Sequence, residues 1–166
     1  MLQILQIIED TMVDGPGLRT SVYCAGCRHQ CPGCHNPQSW DPQGGHVMTT
    51  ADILRVIEAD PYTRGVTFTG GDPMYQPEGF ADLARAIRKE VPQKDIWCYT
   101  GFLYEQLLAL PRQRQLLELI DVLVDGPFLR QQRTEELPFR GSANQRIIDV
   151  QASLAQQRVV TMRLEV

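Results

Sequence analysis

The chain has 166 residues, 43% hydrophobic and 22% charged, with a formal net charge of −4. This length suits one domain, residues 1–166, with a sizeable core, and the mixed composition fits an ordinary globular protein. The negative balance offers no broad basic field to gather nucleic acid. No apolar run approaches the roughly 18 residues of a membrane helix, which leaves no membrane partner to expect. Met1 to Gly15 holds acidic residues and neither Lys nor Arg, unlike the start of a signal peptide. Five cysteines lie at 24, 27, 31, 34 and 98. An odd count argues against a disulfide framework. Four of them fall within eleven residues, which favours an inorganic site in a reducing, cytoplasmic compartment.

In chain order, Leu2–Ile8 reads as a short strand, an edge candidate, and Arg19–Cys24 as a β-rich run and the first barrel strand. A Gly/Pro-rich stretch from Asn36 to Gly45 follows the cysteines. Thr50-Ala51-Asp52 can cap a helix to about Ala59, with Ile53, Val56 and Ile57 on one face. Val66–Thr69 alternates at period two and stops at Gly70-Gly71-Asp72-Pro73; a helix spans Glu78–Glu90. Asp95–Thr100 reads as a strand, Leu103–Leu110 as a helix, and Pro111 opens further helical turns through Leu117. Ile120–Val124 reads as a buried strand ending at Asp125-Gly126-Pro127. Gln145–Val150 and Arg158–Val166 are candidate last strands.

Strand–helix alternation predicts an α/β domain of four or five units with a parallel sheet. A complete (β/α)8 barrel takes about 250 residues, so this chain forms a partial, open (β/α) barrel. Functional loops then lie at the C-terminal strand ends. The cysteine loop, Gly70-Gly71, Thr100-Gly101 and Asp125-Gly126 all fall there.

Cys27, Cys31 and Cys34 are spaced C-x3-C-x2-C. Three thiolates can hold three irons of a [4Fe–4S] cubane, which normally takes four cysteines, leaving one iron for a non-protein ligand. Two other readings stand beside this one. Cys24-x2-Cys27 and Cys31-x2-Cys34 could be zinc knuckles, although paired knuckles usually lie roughly 12 to 20 residues apart. Cys24-x2-Cys27-x3-Cys31-Pro32 also copies part of a ferredoxin run. Cys24, however, falls within or at the end of a strand, where alternation sets its direction. Cys98 reads as a buried strand thiol, Trp40 and Trp97 as core residues, and His29 and Gln30 as shell or surface. Arg130 to Glu136 reads as a solvated mixed-charge loop.

C-x3-C-x2-C after the first barrel strand, with Gly70-Gly71-Asp72-Pro73 after the next, resembles the radical S-adenosylmethionine (SAM) family. Val13-Asp14-Gly15-Pro16-Gly17-Leu18-Arg19 is similar to a stretch of glycyl-radical-enzyme activases. The runs Lys94–Gly101, Asp121–Gly126 and Arg140–Gln145 resemble the activating proteins of anaerobic ribonucleoside-triphosphate reductase. The resemblance spans about residues 10–148. It implies the radical SAM partial barrel, one [4Fe–4S] cluster on Cys27, Cys31 and Cys34, and SAM on the open iron. It further implies SAM contacts from Gly33, Cys34, His35, Gly70, Gly71 and Asp72, and peptide contacts from Asp14, Ser142 and Asn144. In such enzymes one electron cleaves SAM to methionine and a 5′-deoxyadenosyl radical, which takes hydrogen from a glycine of the partner. No protein side chain beyond the cluster and SAM is called on as a catalyst.

Anaerobic ribonucleoside-triphosphate reductase is the favoured partner and a flavodoxin or ferredoxin the expected reductant. Pyruvate formate-lyase or a smaller glycyl radical protein stays open as partner. A deazapurine-type radical SAM enzyme, a non-catalytic electron-transfer module and a zinc-stabilised interaction domain stay open as functions. One departure is His35, where this family commonly carries Tyr.

Overall fold

A computed structural model describes residues 1–164. β1 (Leu2–Thr11) and β2 (Arg19–Cys24) form an antiparallel pair, and β3 (His46–Met48) lies against the other side of β1. After α1 (Thr50–Ala59) come β4 (Gly65–Gly70), α2 (Pro77–Glu90) and β5 (Asp95–Tyr99). Then follow α3 (Tyr104–Leu108), α4 (Pro111–Leu117), β6 (Val122–Asp125), β7 (Arg146–Asp149) and α5 (Val150–Gln156). The seven strands form one sheet in the order β3-β1-β2-β4-β5-β6-β7, whose two ends do not meet.

β2, β4, β5 and β6 run parallel, while β7 returns antiparallel to β6. The expected parallel α/β core is therefore four strands wide, with antiparallel strands on both flanks. Antiparallel neighbours can be joined by short connections, whereas each parallel step needs a helical crossover. Only the segment from β2 to β6 is long enough to supply several of these.

Side chains of β2, β4 and β5 alternate between the two sides of the sheet. Val22, Cys24, Val66, Phe68, Ile96 and Cys98 face the helices and form the main core with Ile53, Ile57, Phe80, Leu83, Ile87, Leu107 and Leu116. On the other, concave side Trp97, Val122, Val124 and Ile147 pack with Tyr99 and Phe139. Arg19 is fully buried on that side, with its guanidinium 5.5 Å from the Trp97 ring centroid. It donates to Thr67 Oγ1 at 2.8 Å, Val66 O at 3.1 Å and Pro16 O at 3.2 Å, and pairs with Asp95.

The helices follow their local signals. The Thr49 side chain, one residue before the expected cap, accepts the Asp52 N–H at 3.1 Å. α2 starts on Pro77 and carries Arg88 and Lys89 in its last turn, cations placed where the helix dipole favours them.

Three expectations need correction. β1 is covered on both sides and is not an edge, because β3 pairs with Leu2–Ile4. Residues 158–164 form no strand: a single bridge joins Thr161 to Ile148, and residues 165–166 lie outside the described residues. Finally, Val150, expected to end the Gln145–Val150 strand, instead opens helix α5, capped by the Asp149 side chain accepting from Ala152 N at 3.1 Å.

Candidate iron–sulfur and cofactor site

The loops after β2, β4, β5 and β6 meet at the C-terminal edge of the parallel strands. They enclose a cavity of about 150 Å³ lined by Cys27, Cys31, Cys34, Gly70, Gly71, Asp72, Thr100, Gly101, Gly126, Phe128 and Gln145, among others. All three expected cysteines are thus half-buried and line the same cavity as the Gly-Gly segment. Burial pushes the Cys27 thiol up to about 11. Cys24 and Cys98 are fully buried in the main core, and burial raises their thiols well above the ordinary range.

Among the described residues, no three His, Cys, Asp or Glu side chains converge on a point where one metal ion could sit. Ligands of a cubane each take a different iron and need not converge, whereas a tetrahedral zinc site draws every sulfur to about 2.3 Å from one ion. The donor set fits the cluster better than the zinc knuckles.

Backbone bonds sew the Gly-Gly turn to the start of the cysteine loop. Gly71 N donates to Cys24 O at 2.7 Å and Asp72 N to Gly26 O at 2.8 Å. A Cβ on Gly71 would lie 2.5 Å from the Gly26 carbonyl oxygen, so glycine is required by this close approach. Asp72 is 2% exposed. Both its carboxylate oxygens already accept from protein donors: Met74 N on Oδ1, and Thr100 Oγ1, Gly101 N and His29 Nε2 on Oδ2. Its expected contact with SAM competes with these bonds.

Gly33 and His35 meet the β6–β7 loop. A Cβ on Gly33 would fall 3.0 Å from Arg130 Nε, and the His35 ring stands edge-on to Phe128 at 5.3 Å. The stretch from Arg130, expected to be merely solvated, therefore reaches the cysteine loop. Asn36 N donates to Cys34 Sγ at 3.4 Å.

A second cavity of about 340 Å³ opens on the concave side, lined by Val13, Asp14, His35, Tyr99, Arg133, Phe139 and Arg140, among others. It adjoins the first at Tyr99, and the two together fall within the usual size of a small-molecule site. The Tyr23 hydroxyl donates to the Asp14 carboxylate, and Thr67 Oγ1 donates to Asp14 O at 2.8 Å. The two remaining peptide-contact candidates sit differently. Ser142 is fully buried and its Oγ accepts from Leu129 N at 3.2 Å, so it closes its own loop and is out of reach of a peptide. Asn144 donates to Pro127 O at 2.8 Å, while its Oδ1 is buried without a partner.

Known proteins resemble this chain in sequence and in fold. A family model described as a 4Fe-4S single cluster domain matches residues 13–148. The anaerobic ribonucleoside-triphosphate reductase-activating protein of Escherichia coli strain K12 is 40% identical over 141 residues, 81% of this chain and 90% of that protein. Those of Enterobacteria phage T4 and Haemophilus influenzae are 34% identical over 139 residues and 35% over 150. These cover 81% and 87% of this chain, and 86% and 96% of the relatives. The chain belongs to the anaerobic ribonucleoside-triphosphate reductase-activating protein family. The crystal structure of QueE from Escherichia coli superposes with a TM-score of 0.55 over 99% of this chain and 94% of that one. At 13% identity that likeness concerns the fold alone. No helix among the described residues is long and apolar enough to cross a membrane.

Phe128, Gln145, Thr100 and Gly101 line the cavity without having been singled out as site residues. Thr100-Gly101 carried a strand-end signal. Phe128 and Gln145 sit on an irregular loop that has no period to read.

Proposed function

We propose that this chain is a radical SAM activase that installs a glycyl radical on anaerobic ribonucleoside-triphosphate reductase in the cytoplasm. The observation that carries the reading is one cavity, at the C-terminal ends of the parallel strands, lined by Cys27, Cys31 and Cys34 together with Gly70-Gly71. The cysteines would hold three irons of a [4Fe–4S] cluster, and Gly33–His35 and Gly70-Gly71 would flank SAM. When bound, the cluster and SAM supply reductive cleavage of the sulfonium and a carbon radical that removes one hydrogen atom from a glycine.

The chain's own residues orient and enclose. Gly71 lets the β4 turn approach the cysteine loop, His35 and Phe128 form an aromatic edge of the mouth, and Asp14 stands at the concave cavity where a peptide would enter. The unclosed sheet leaves that entry open, which suits a substrate that is a loop of another protein. A flavodoxin or ferredoxin would supply the electron, at the low end of the roughly −700 to +450 mV range of such clusters.

Anaerobic reconstitution should give about four irons per chain, as one cubane requires, and reduction with SAM should yield 5′-deoxyadenosine. Retained cleavage after Cys27→Ala, Cys31→Ala or Cys34→Ala would refute the assignment.

A further inference from the structure

The cysteine loop is poorly tied to the rest of the chain by its backbone. Among the described residues, positions 28 to 34 make one backbone hydrogen bond, Cys34 N to Cys31 O, and it is internal. The loop also holds two left-handed positions, Gln30 at φ 48° and Gly33 at φ 78°. Gln30 carries a side chain in that conformation, which persists only where neighbours impose it. Something must hold three thiols in register on such a segment.

The structure assigns that task to His29, as a positioning residue acting through Asp72. His29 lies midway between Cys27 and Cys31, and its Nε2 is 2.7 Å from Asp72 Oδ2. Apart from Cys34 Sγ, which accepts from the nearby Asn36 N, no other side chain from Cys27 to Cys34 makes a hydrogen bond among the described residues, and only His29 reaches a distant part of the chain. Both oxygens of Asp72 are acceptors, so the imidazole presents its N–H at Nε2. The same Oδ2 accepts Thr100 Oγ1 and Gly101 N, each at 2.9 Å. One buried carboxylate thus joins the loops after β2, β4 and β5.

The ring itself is gripped. It stands edge-on to Phe102 at 4.7 Å and lies tilted against Tyr75 at 5.4 Å. A Cβ on Gly101 would fall 2.5 Å from His29 Cδ2, so the imidazole rests directly on that glycine's backbone. Shifting the ring would move the loop that carries Cys27 and Cys31 and, through Asp72, the Gly70-Gly71 turn. Partners of this kind orient metal-binding residues without touching the metal, and their loss costs roughly 10- to 100-fold in metal affinity or activity.

This inference rests on the cluster reading above, and its test separates the two. Wild type, His29→Ala and His29→Gln are reconstituted anaerobically. Iron per chain, the rate of iron loss to a chelator, and the electron paramagnetic resonance spectrum of the reduced cluster with and without SAM are then measured. His29→Ala should lose iron about tenfold faster or more, with a changed SAM-dependent spectrum. His29→Gln, which restores an N–H near Nε2, should recover most of the wild-type behaviour. Melting of the metal-free chains is the control for folding, and His29→Ala should melt within a few degrees of wild type. Equal iron retention and spectra in His29→Ala and wild type would overturn the inference. Failure of His29→Gln to rescue would overturn the role of the hydrogen bond to Asp72. A wild-type chain that takes up no iron would instead refute the cluster reading itself.

Discussion

Cys24 and Cys27 are three positions apart and have opposite environments. Cys24 ends β2 with its side chain in the helix-covered core, fully buried. Cys27 stands past the strand end, half-buried at the cavity wall with Cys31 and Cys34. Cys98, on β5, shares the fate of Cys24. Only a thiolate ligates iron. Burial raises the core thiols and Cys27 as well, so it is the place of Cys24 and Cys98 in the core, away from the cavity lining, that sets them apart. Spacing counts the thiols in this chain; strand alternation assigns them.

The largest expected effect separates the two groups outright. Cys34→Ala should abolish both cluster uptake and SAM cleavage, while Cys24→Ala should keep both, measured by iron content and 5′-deoxyadenosine formation. Loss of the cluster in Cys24→Ala would erase the distinction and favour a ferredoxin-like ligand set. Next comes thiol accessibility in the metal-free, folded chain. Alkylation followed by peptide mass mapping should label Cys27, Cys31 and Cys34, and should reach Cys24 and Cys98 only after denaturation. Labelling of Cys98 under native conditions would contradict its place in the core.

Smaller effects concern stability. Cys24→Ser puts a hydroxyl among Val22, Phe68 and their neighbours and should destabilise the chain by about 1–3 kcal/mol if left unpaired, read by denaturant unfolding. Cys98→Ala should cost about 1 kcal/mol, the scale of a small deletion from a packed core, without altering iron content.

Much of this was legible in the residues. β2 has the boundaries that its β-branched run announces, because a strand with both faces covered must be apolar or paired throughout. The turn at Gly70-Gly71 lies where period-two alternation breaks. β3 was not legible, since three residues are too few to show a period. Nor was the direction of β7, which depends on which side of β6 is free. In the site, the cysteines and glycines carried their chemistry in local spacing. The His29–Asp72 contact spans 43 positions and pairs two polar residues whose local sequence is ordinary turn and loop. Ser142 likewise looks available in sequence, and only tertiary packing buries it.

The most direct test of the account joins the chain to its substrate. Reconstituted protein is incubated anaerobically with anaerobic ribonucleoside-triphosphate reductase, SAM and a low-potential reductant, and read by electron paramagnetic resonance. A glycyl radical doublet on the reductase, absent with Cys31→Ala, is the predicted result. Intact SAM cleavage with no doublet would contradict the proposed partner, and absence of both would contradict the radical chemistry.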